Sequence, residues 1–557
     1  MKKKVLALLL TTAMAASCFT GCGGSGSTSS DNAATPDGGG GTQAAAPDEE
    51  VAIQQEATST DTVSAHVDEV NIASDRDPTD MGPWAGNMGG ASAQIPVVYQ
   101  TLQIMELNSD PEPCLAKNVT KVDDLTYDVE LFDYITDSEG NPMTANDIKF
   151  GVDTAKEIGK VAATKVVESI EVTGDYTFTV HFDASAAMGD FEGFFNQTFF
   201  VTQAAYESEG NGMAQHPIGT GPYKLREYVG GSVMSFELRD DYWQTDEQYI
   251  ARSSEAHADV INFQIITEAL QRAIAIENGT LDYGAVALND KERLESEGYD
   301  IVAVPDNLTY MMFFNMGSAS VLSENKDLRE ALFYALDNEQ LAALYTTSDA
   351  VPVYDISNSN YPDYYEDAYK AEDNYYKYDI AKAQELLASS GFDTSQTLTL
   401  ICSSDQGSIE LAEIVKTFWA PLGVNIDIQS YQGNMMSDVA SDQNNWDIYL
   451  LQYASTDYAV NVWEKVLNKN KYAWGGTINF VMEDELQQKL AECRSTDGHT
   501  EENVIAFHDY VVDQAWAMGL VQGIQYYACS AKLDADNVVM SDQRLIRPNA
   551  TIYKEVQ

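Results

Sequence analysis

Leu398-Thr399-Leu400, then Ile409 through Trp419, then Val424-Asn425-Ile426-Asp427-Ile428 is the stretch whose reading decides the fold. Its outer pieces place apolar residues at every second position, the period of a half-buried strand, and the middle piece reads as a helix. Strand, helix, strand in that order is a crossover unit with parallel pairing. Upstream, Asp379 caps a helix carrying Ile380, Ala383 and Leu387 that should stop at Gly391, and Leu328, Ala331, Leu332, Ala335 and Leu336 make another helix face. The second half of the chain is therefore mixed α/β. Nearer the N-terminus, Leu125, Tyr127, Val129 and Leu131 alternate as a strand, and Thr144-Ala145-Asn146-Asp147 is a capping-box pattern opening a helix with Ile148, Gly151, Val152 and Ala155. Phe178, Val180 and Phe182 mark a further strand. Gly219-Thr220-Gly221-Pro222-Tyr223 is a rigid turn entering a strand, and Gly230-Gly231 folds it into a hairpin with Phe236 and Leu238.

The chain has 557 residues, more than one core usually serves, since single cores seldom grow past ~250–300 residues. With 44% hydrophobic and 10% aromatic residues it can bury sizeable cores, which excludes global disorder. A net charge of -55 repels phosphate backbones and anionic headgroups, so nucleic acid is not an expected partner.

Lys2, Lys3 and Lys4 precede an apolar run from Val5 to Ala16, the pattern of a secretion signal and too short to span a bilayer. Phe19-Thr20-Gly21-Cys22 resembles the lipobox of bacterial lipoproteins, which implies cleavage after residue 21 and lipidation of Cys22. From Gly23 to about Thr62 the residues are mostly Gly, Ser, Ala, Thr, Pro and acid with almost no large apolar residue, as in Gly38-Gly39-Gly40-Gly41, and such a stretch behaves as a flexible tether. The reading is a folded body outside the cell, held to the bacterial cell membrane by its lipid alone.

Cys114, Cys402, Cys493 and Cys529 are widely spaced without a CxxC pair, and are expected as isolated buried thiols more than as bridges. The six His residues are scattered, so neither a metal site nor a cofactor is expected. GxSxG, HExxH and the P-loop are missing from the sequence; a glycoside hydrolase using two of the 87 acids stays open as an enzyme alternative. An adhesion or structural lipoprotein would show repeats or small modules, and none is visible.

The order Tyr99-Gln100-Thr101-Leu102, Pro113-Cys114-Leu115-Ala116, Gly140 through Ile148, Pro217 through Tyr223 and Asp241-Tyr242-Trp243 resembles the extracellular solute-binding proteins, family 5, the peptide-binding components of ABC importers. It continues through Asn278-Gly279-Thr280-Leu281-Asp282, Leu328-Arg329-Glu330-Ala331-Leu332, Tyr334-Ala335-Leu336-Asp337 and Tyr378-Asp379 to Gly391-Phe392, so the similarity spans roughly residues 65 to 540. The resemblance implies an α/β, two-lobed periplasmic-binding-protein-like fold (class II type, cluster C) with an additional small α+β domain. It divides the chain into a signal peptide, 1–21; a lipidated tether, 22–62; a discontinuous domain I, 63–99, 214–307 and 520–557; an inserted domain II, 100–213; and domain III, 308–519. The motif residues themselves read as structural: Gly219 and Gly221 for turn geometry, Asp147 as a helix cap, Tyr242-Trp243 as a packed aromatic pair.

For the ligand the informative stretch is Trp446 through Tyr458. In the peptide binders a similar stretch carries an Asp-Tyr pair whose carboxylate receives the ligand's N-terminal ammonium, and Asp457-Tyr458 is the matching pair. A buried amine needs such a partner, because an unpaired desolvated charge is costly. Two departures stand out: the match needs one extra residue between Asp447 and Asp457, and Ala459-Val460 replaces the acidic or Pro-containing continuation. Tyr453 holds the aromatic position of the stretch, as cleft wall or as core. The 31 Tyr and 7 Trp residues also feed a rival class, since some relatives bind oligosaccharides or nickel chelates, and a sugar site would be marked by exposed rings of Trp446, Trp463 or Trp474 around Asp457. The resulting expectation is a monomeric lipoprotein that captures short peptides between two closing lobes and delivers them to an ABC permease and ATPase complex, without catalysing a reaction.

Overall fold

The computed structural model describes residues 66–78, 80–85, 94–106, 110–186, 188–371, 375–454, 458–468, 483–495, 497–540, 547–551 and 553. All of them belong to one compact unit, Thr62–Gln557. The signal, Cys22, the tether, Asp457 and Trp474 lie outside the described residues.

The stretch that opened the reading folds as its periods predict. Strand Thr397–Ser403, helix Gln406–Trp419 and strand Asn425–Tyr431 form a crossover whose strands pair in parallel, Leu400 against Ile428. Asp405 starts the helix by accepting the Ser408 N–H at 2.8 Å. Helix Ile380–Ser390 is capped by Asp379 and ends at Gly391, whose φ of 66° is the left-handed conformation that glycine adopts without strain. The Thr397 strand also pairs in parallel with strand Ile448–Ala454, which runs antiparallel to the long strand Asp300–Phe314. That strand in turn pairs with Ala517–Cys529, and the sheet continues through Tyr283–Val286, Val67–Ser74, Ala258–Ile265 and the hairpin Val233–Leu238 with Tyr223–Val229. One sheet thus links both halves of the fold. Its two long central strands slip register between Pro305 and Thr309.

A second, four-stranded antiparallel sheet is formed by Ala116–Asp123, Thr126–Leu131, Thr177–Phe182 and Val167–Gly174, with helix Ala145–Ile158 on it. That helix begins with the expected capping box. The Asp147 carboxylate accepts the Thr144 N–H at 2.7 Å and, across the fold, the Gln203 N–H at 2.8 Å.

The apolar residues gather accordingly. Val129, Ile148, Phe178 and Phe200 form the core of the small sheet. Val70, Tyr99, Phe236 and Phe263 form another around the Val67 strand. Further on, the sheet has apolar packing on both faces: Met312, Phe314, Leu400 and Trp419 on one, Met311, Phe313, Trp463 and Phe507 on the other. At this size such burial supplies the main driving force. The arrangement is the mixed α/β, two-lobed fold.

Two expectations gain a different physical reason. Gly219 and Gly221 are not among the positive-φ residues. They are glycines because the backbone of Val97-Val98 crosses directly over them: a Cβ would fall 2.2 Å from the Val98 carbonyl oxygen at Gly219, and 2.6 Å from the Val97 and Val98 oxygens at Gly221. The four body cysteines, Cys114, Cys402, Cys493 and Cys529, are free and buried. No described helix is long and apolar enough to cross a membrane.

Candidate ligand site

Strand Ile448–Ala454 alternates its side chains between the two faces of the sheet, and Tyr449, Leu451 and Tyr453 share the face that packs on Trp463 and Phe507. Tyr453 stands at the end of that strand with Thr309 directly opposite, and Thr309 is opposite Gln522 on the next strand. These three residues form a row across the sheet beside the register slip. Thr309 and Gln522 are buried, and burial holds the Tyr453 hydroxyl well above its ordinary pKa. Gln522 Oε1 accepts from Ser359 Oγ at 2.6 Å, and Gln522 Nε2 donates to Asn358 at 2.9 Å. The row is thereby clipped to the segment 355–363.

That segment is polar by composition yet buried: Asp355 is 3% exposed, Ser357 0% and Asp363 2%. Buried carboxylates persist only where donors satisfy them. Asp355 accepts from His508 Nδ1 at 2.9 Å, Ser357 Oγ at 2.5 Å and Trp463 Nε1 at 3.2 Å, and His508 stacks on Tyr369 at 3.9 Å. Asp363 accepts the backbone N–H of Ala459 at 2.7 Å and of Val460 at 3.3 Å, together with His499 Nε2 at 3.1 Å. These two amides open the helix Ala459–Leu467, whose own N-cap residue, Tyr458, supplies no side-chain cap. A carboxylate 96 residues away thus caps the helix and meets the positive end of its dipole. The Tyr458 ring stands edge-on to His499 at 5.1 Å and 84°, so the same pair holds Tyr458.

Tyr453 and Tyr458 therefore stand on either side of residues 455–457. Trp446 and Trp463 do not present the exposed rings that would mark a sugar site. Trp463 is fully buried, stacked on Phe507 at 4.5 Å with its indole N–H on Asp355; Trp446 is 3% exposed with its N–H on the Ala440 carbonyl at 3.2 Å. Both are core residues: Trp463, on the helix Ala459–Leu467, and Trp446, just before the strand Ile448–Ala454, lie in one apolar cluster with Phe507 and Leu451. The Tyr242-Trp243 pair is likewise structural, with Trp243 Nε1 donating to Thr220 O at 2.9 Å and Tyr242 bonded to Gln100. Thr309, Gln522, Asp355, Asp363, His499 and His508 were not singled out from sequence. Asp355 lies in the run Asp355-Ile356-Ser357-Asn358-Ser359-Asn360, which by composition resembles a solvated loop, and the other five carry no local signal at all.

Among the described residues no group of three or more His, Cys, Asp or Glu side chains could hold a metal ion. The arrangement offers a strand end, two tyrosines and buried carboxylates whose hydrogen bonds are satisfied.

The class of protein follows from the family match: the chain belongs to the bacterial extracellular solute-binding proteins, family 5, whose middle-region model matches residues 110–467. Among individual proteins it is 22% identical over 355 residues to the glutathione-binding protein GsiB of Salmonella paratyphi A, covering 61% of this chain and 65% of that protein's length. The oligopeptide-binding protein AppA of Bacillus subtilis is 23% identical over 366 residues, 60% of this chain and 63% of that one. Its crystal structure in complex with a nonapeptide superposes with a TM-score of 0.68, 16% identity and coverage of 89% of this chain and 100% of that one. The ABC transporter substrate-binding protein CtaP of Listeria monocytogenes gives a TM-score of 0.75 at 23% identity, covering 88% of this chain and 100% of that one.

Proposed function

We propose that this chain is the substrate-binding lipoprotein of an ABC importer that captures short peptides between two closing lobes and delivers them to a membrane permease. Asp457 receives the peptide's ammonium group, flanked by Tyr453 and Tyr458 as walls, and Cys22 carries the lipid that keeps the body at the cell membrane. Domain I comprises 63–99, 214–307 and 520–557, domain II 100–213, and domain III 308–519; the body acts as a monomer and catalyses no reaction. The observation that carries the reading is the placement of Tyr453 and Tyr458 on either side of 455–457, at the end of a strand and the start of a helix, in a chain of this family. A strand end is where an extended ligand can meet backbone groups while its side chains vary. The separate core of the small sheet supports the division into domains. Burial of Trp446 and Trp463 weighs against the sugar-stacking alternative, which would need those faces open.

The test is titration calorimetry of the ligand-stripped body, from about Thr62 onward, against mixed short peptides, mixed oligosaccharides and a nickel–histidine complex. Heat with peptides alone is the expected result. Heat with sugars or the nickel chelate and none with peptides would overturn the peptide assignment and leave the family standing.

A further inference from the structure

The segment that leaves the small sheet after Phe182 meets the far half of the fold. Gly189, in the helix Met188–Glu192, lies against Asn461 so closely that a side-chain carbon at Gly189 would fall 2.3 Å from Asn461 Nδ2. Arg494 Nη1 donates to the Ser185 carbonyl at 3.4 Å while it holds Glu464 Oε1 at 2.7 Å. Lys121 of the small sheet is paired with Asp124 at 2.8 Å; that hydrogen bond is the largest cause raising its pKa, and Asp497, three residues past Arg494, also raises it. Tyr458, Asn461 and Glu464 recur every third residue at the start of the helix Ala459–Leu467, so the surface that touches the small domain begins one turn from the candidate anchor pair.

This contact is polar and sparsely bonded. Asn461 is 7% exposed, and its Nδ2 has no acceptor among the described residues. If the two sides separate, that amide and the Ser185 carbonyl regain water, while Arg494 keeps Glu464 as its partner. The apolar clusters on either side could not part so cheaply. The half that carries the small domain and the far half share the long central strands, which slip register between Pro305 and Thr309. A strand pair with an irregular point on one side and a separable polar contact on the other are the two parts that domain closure needs.

Resting on the reading of the chain as a two-lobed capture protein, we infer that the contact of Ser185 and Gly189 with Asn461 and Arg494 is a second closing contact of the cleft, which determines how tightly the lobes hold a ligand. The small domain then serves as a clamp on the helix that follows the anchor pair. A side chain at Gly189 would have to displace the Asn461 amide for the contact to close.

The experiment places exposed cysteines on the two sides, Ser185→Cys and Ser495→Cys, in the body from about Thr62 onward. A short bifunctional thiol reagent then reads the closed population with and without mixed short peptides. The four natural cysteines are buried and stay silent. Peptides are expected to speed cross-linking severalfold. Gly189→Leu, or independently Arg494→Gln, is expected to slow cross-linking in the ligand-free protein and to raise the peptide dissociation rate about tenfold, with unchanged hydrogen-exchange protection of the apolar cores as the check on folding. Cross-linking that is fast and indifferent to peptide shows a permanent interface and overturns the proposal, as do unchanged cross-linking and dissociation in both variants. If no peptide binds the parent, the proposed function fails by itself. The ligand-free comparison of parent and variants still decides the clamp.

Discussion

Asp363→Ala is the sharpest probe of how the site is held. The carboxylate is 2% exposed and accepts two helix-opening amides, those of Ala459 and Val460, which are themselves 0% and 1% exposed. Removing it takes away a helix cap, worth about 0.5–2 kcal/mol, and leaves buried N–H groups unpaired, about 1–3 kcal/mol each where water cannot enter. Because the helix end can relax toward solvent, the net cost should lie near ~2–4 kcal/mol, confined to the helix Ala459–Leu467. A chain of this size need not unfold in one step, so a global melting point is a poor reporter. Amide hydrogen exchange followed by mass spectrometry reads the helix directly, and the estimate corresponds to a loss of protection of roughly 30- to 700-fold in the peptide covering 459–467. Asp363→Asn retains an acceptor for the Ala459 N–H and should fall between the two. His499, which donates to the same carboxylate at 3.1 Å, makes His499→Ala a milder version of the same defect. Unchanged protection in Asp363→Ala would refute the claim that a distant carboxylate caps this helix.

Other consequences follow from the same geometry. Gly221→Ala forces the chain away from the Val97 and Val98 carbonyls and should cost about 1–3 kcal/mol or more, read as a lowered urea midpoint. The thiols of Cys114, Cys402 and Cys493 are pushed up to about 12, mainly by burial, so the folded body should not react with a disulfide reagent at pH 8, whereas the denatured body should titrate them fully. Burial opposes ionisation of Asp405, yet hydrogen bonds led by those from Ser408 outweigh it and hold its carboxyl below the usual range. A depressed folded pKa contributes stability that is present above the unfolded value, about 4, and is lost as pH falls through the folded one. Asp405→Asn should therefore flatten the acid limb of the stability profile below about pH 4, and an identical limb would contradict the assignment.

The parts of the fold that could be read from sequence are those whose signal is local. The parallel unit from Thr397 to Tyr431, the Asp379 cap, the Gly391 stop and the Thr144 to Asp147 box each lie within a few residues of their own partners. The long strands Asp300–Phe314 and Ala517–Cys529 were harder to read. Both domain boundaries expected there, 307/308 and 519/520, fall inside them, because a strand passing from one packing environment to the next keeps its period of two and carries no mark of the change. The helix Ala459–Leu467 went without a reading, since its cap comes from Asp363 and is invisible in its own sequence. The place of the tryptophans was hidden for a similar reason: Trp446 and Trp463 look alike by type, and only the packing of the assembled core decides that both rings are buried. Cys402, by contrast, could be placed by class, as an isolated buried thiol.

The most direct test of the central claim compares one short peptide with its N-acetylated form by titration calorimetry, in the parent body and in Asp457→Asn. The account predicts that the parent binds the free peptide and loses most of that affinity on acetylation, and that Asp457→Asn binds both forms equally weakly. Equal binding of the free and acetylated peptides by the parent, or undiminished preference for the free amine in Asp457→Asn, would contradict it.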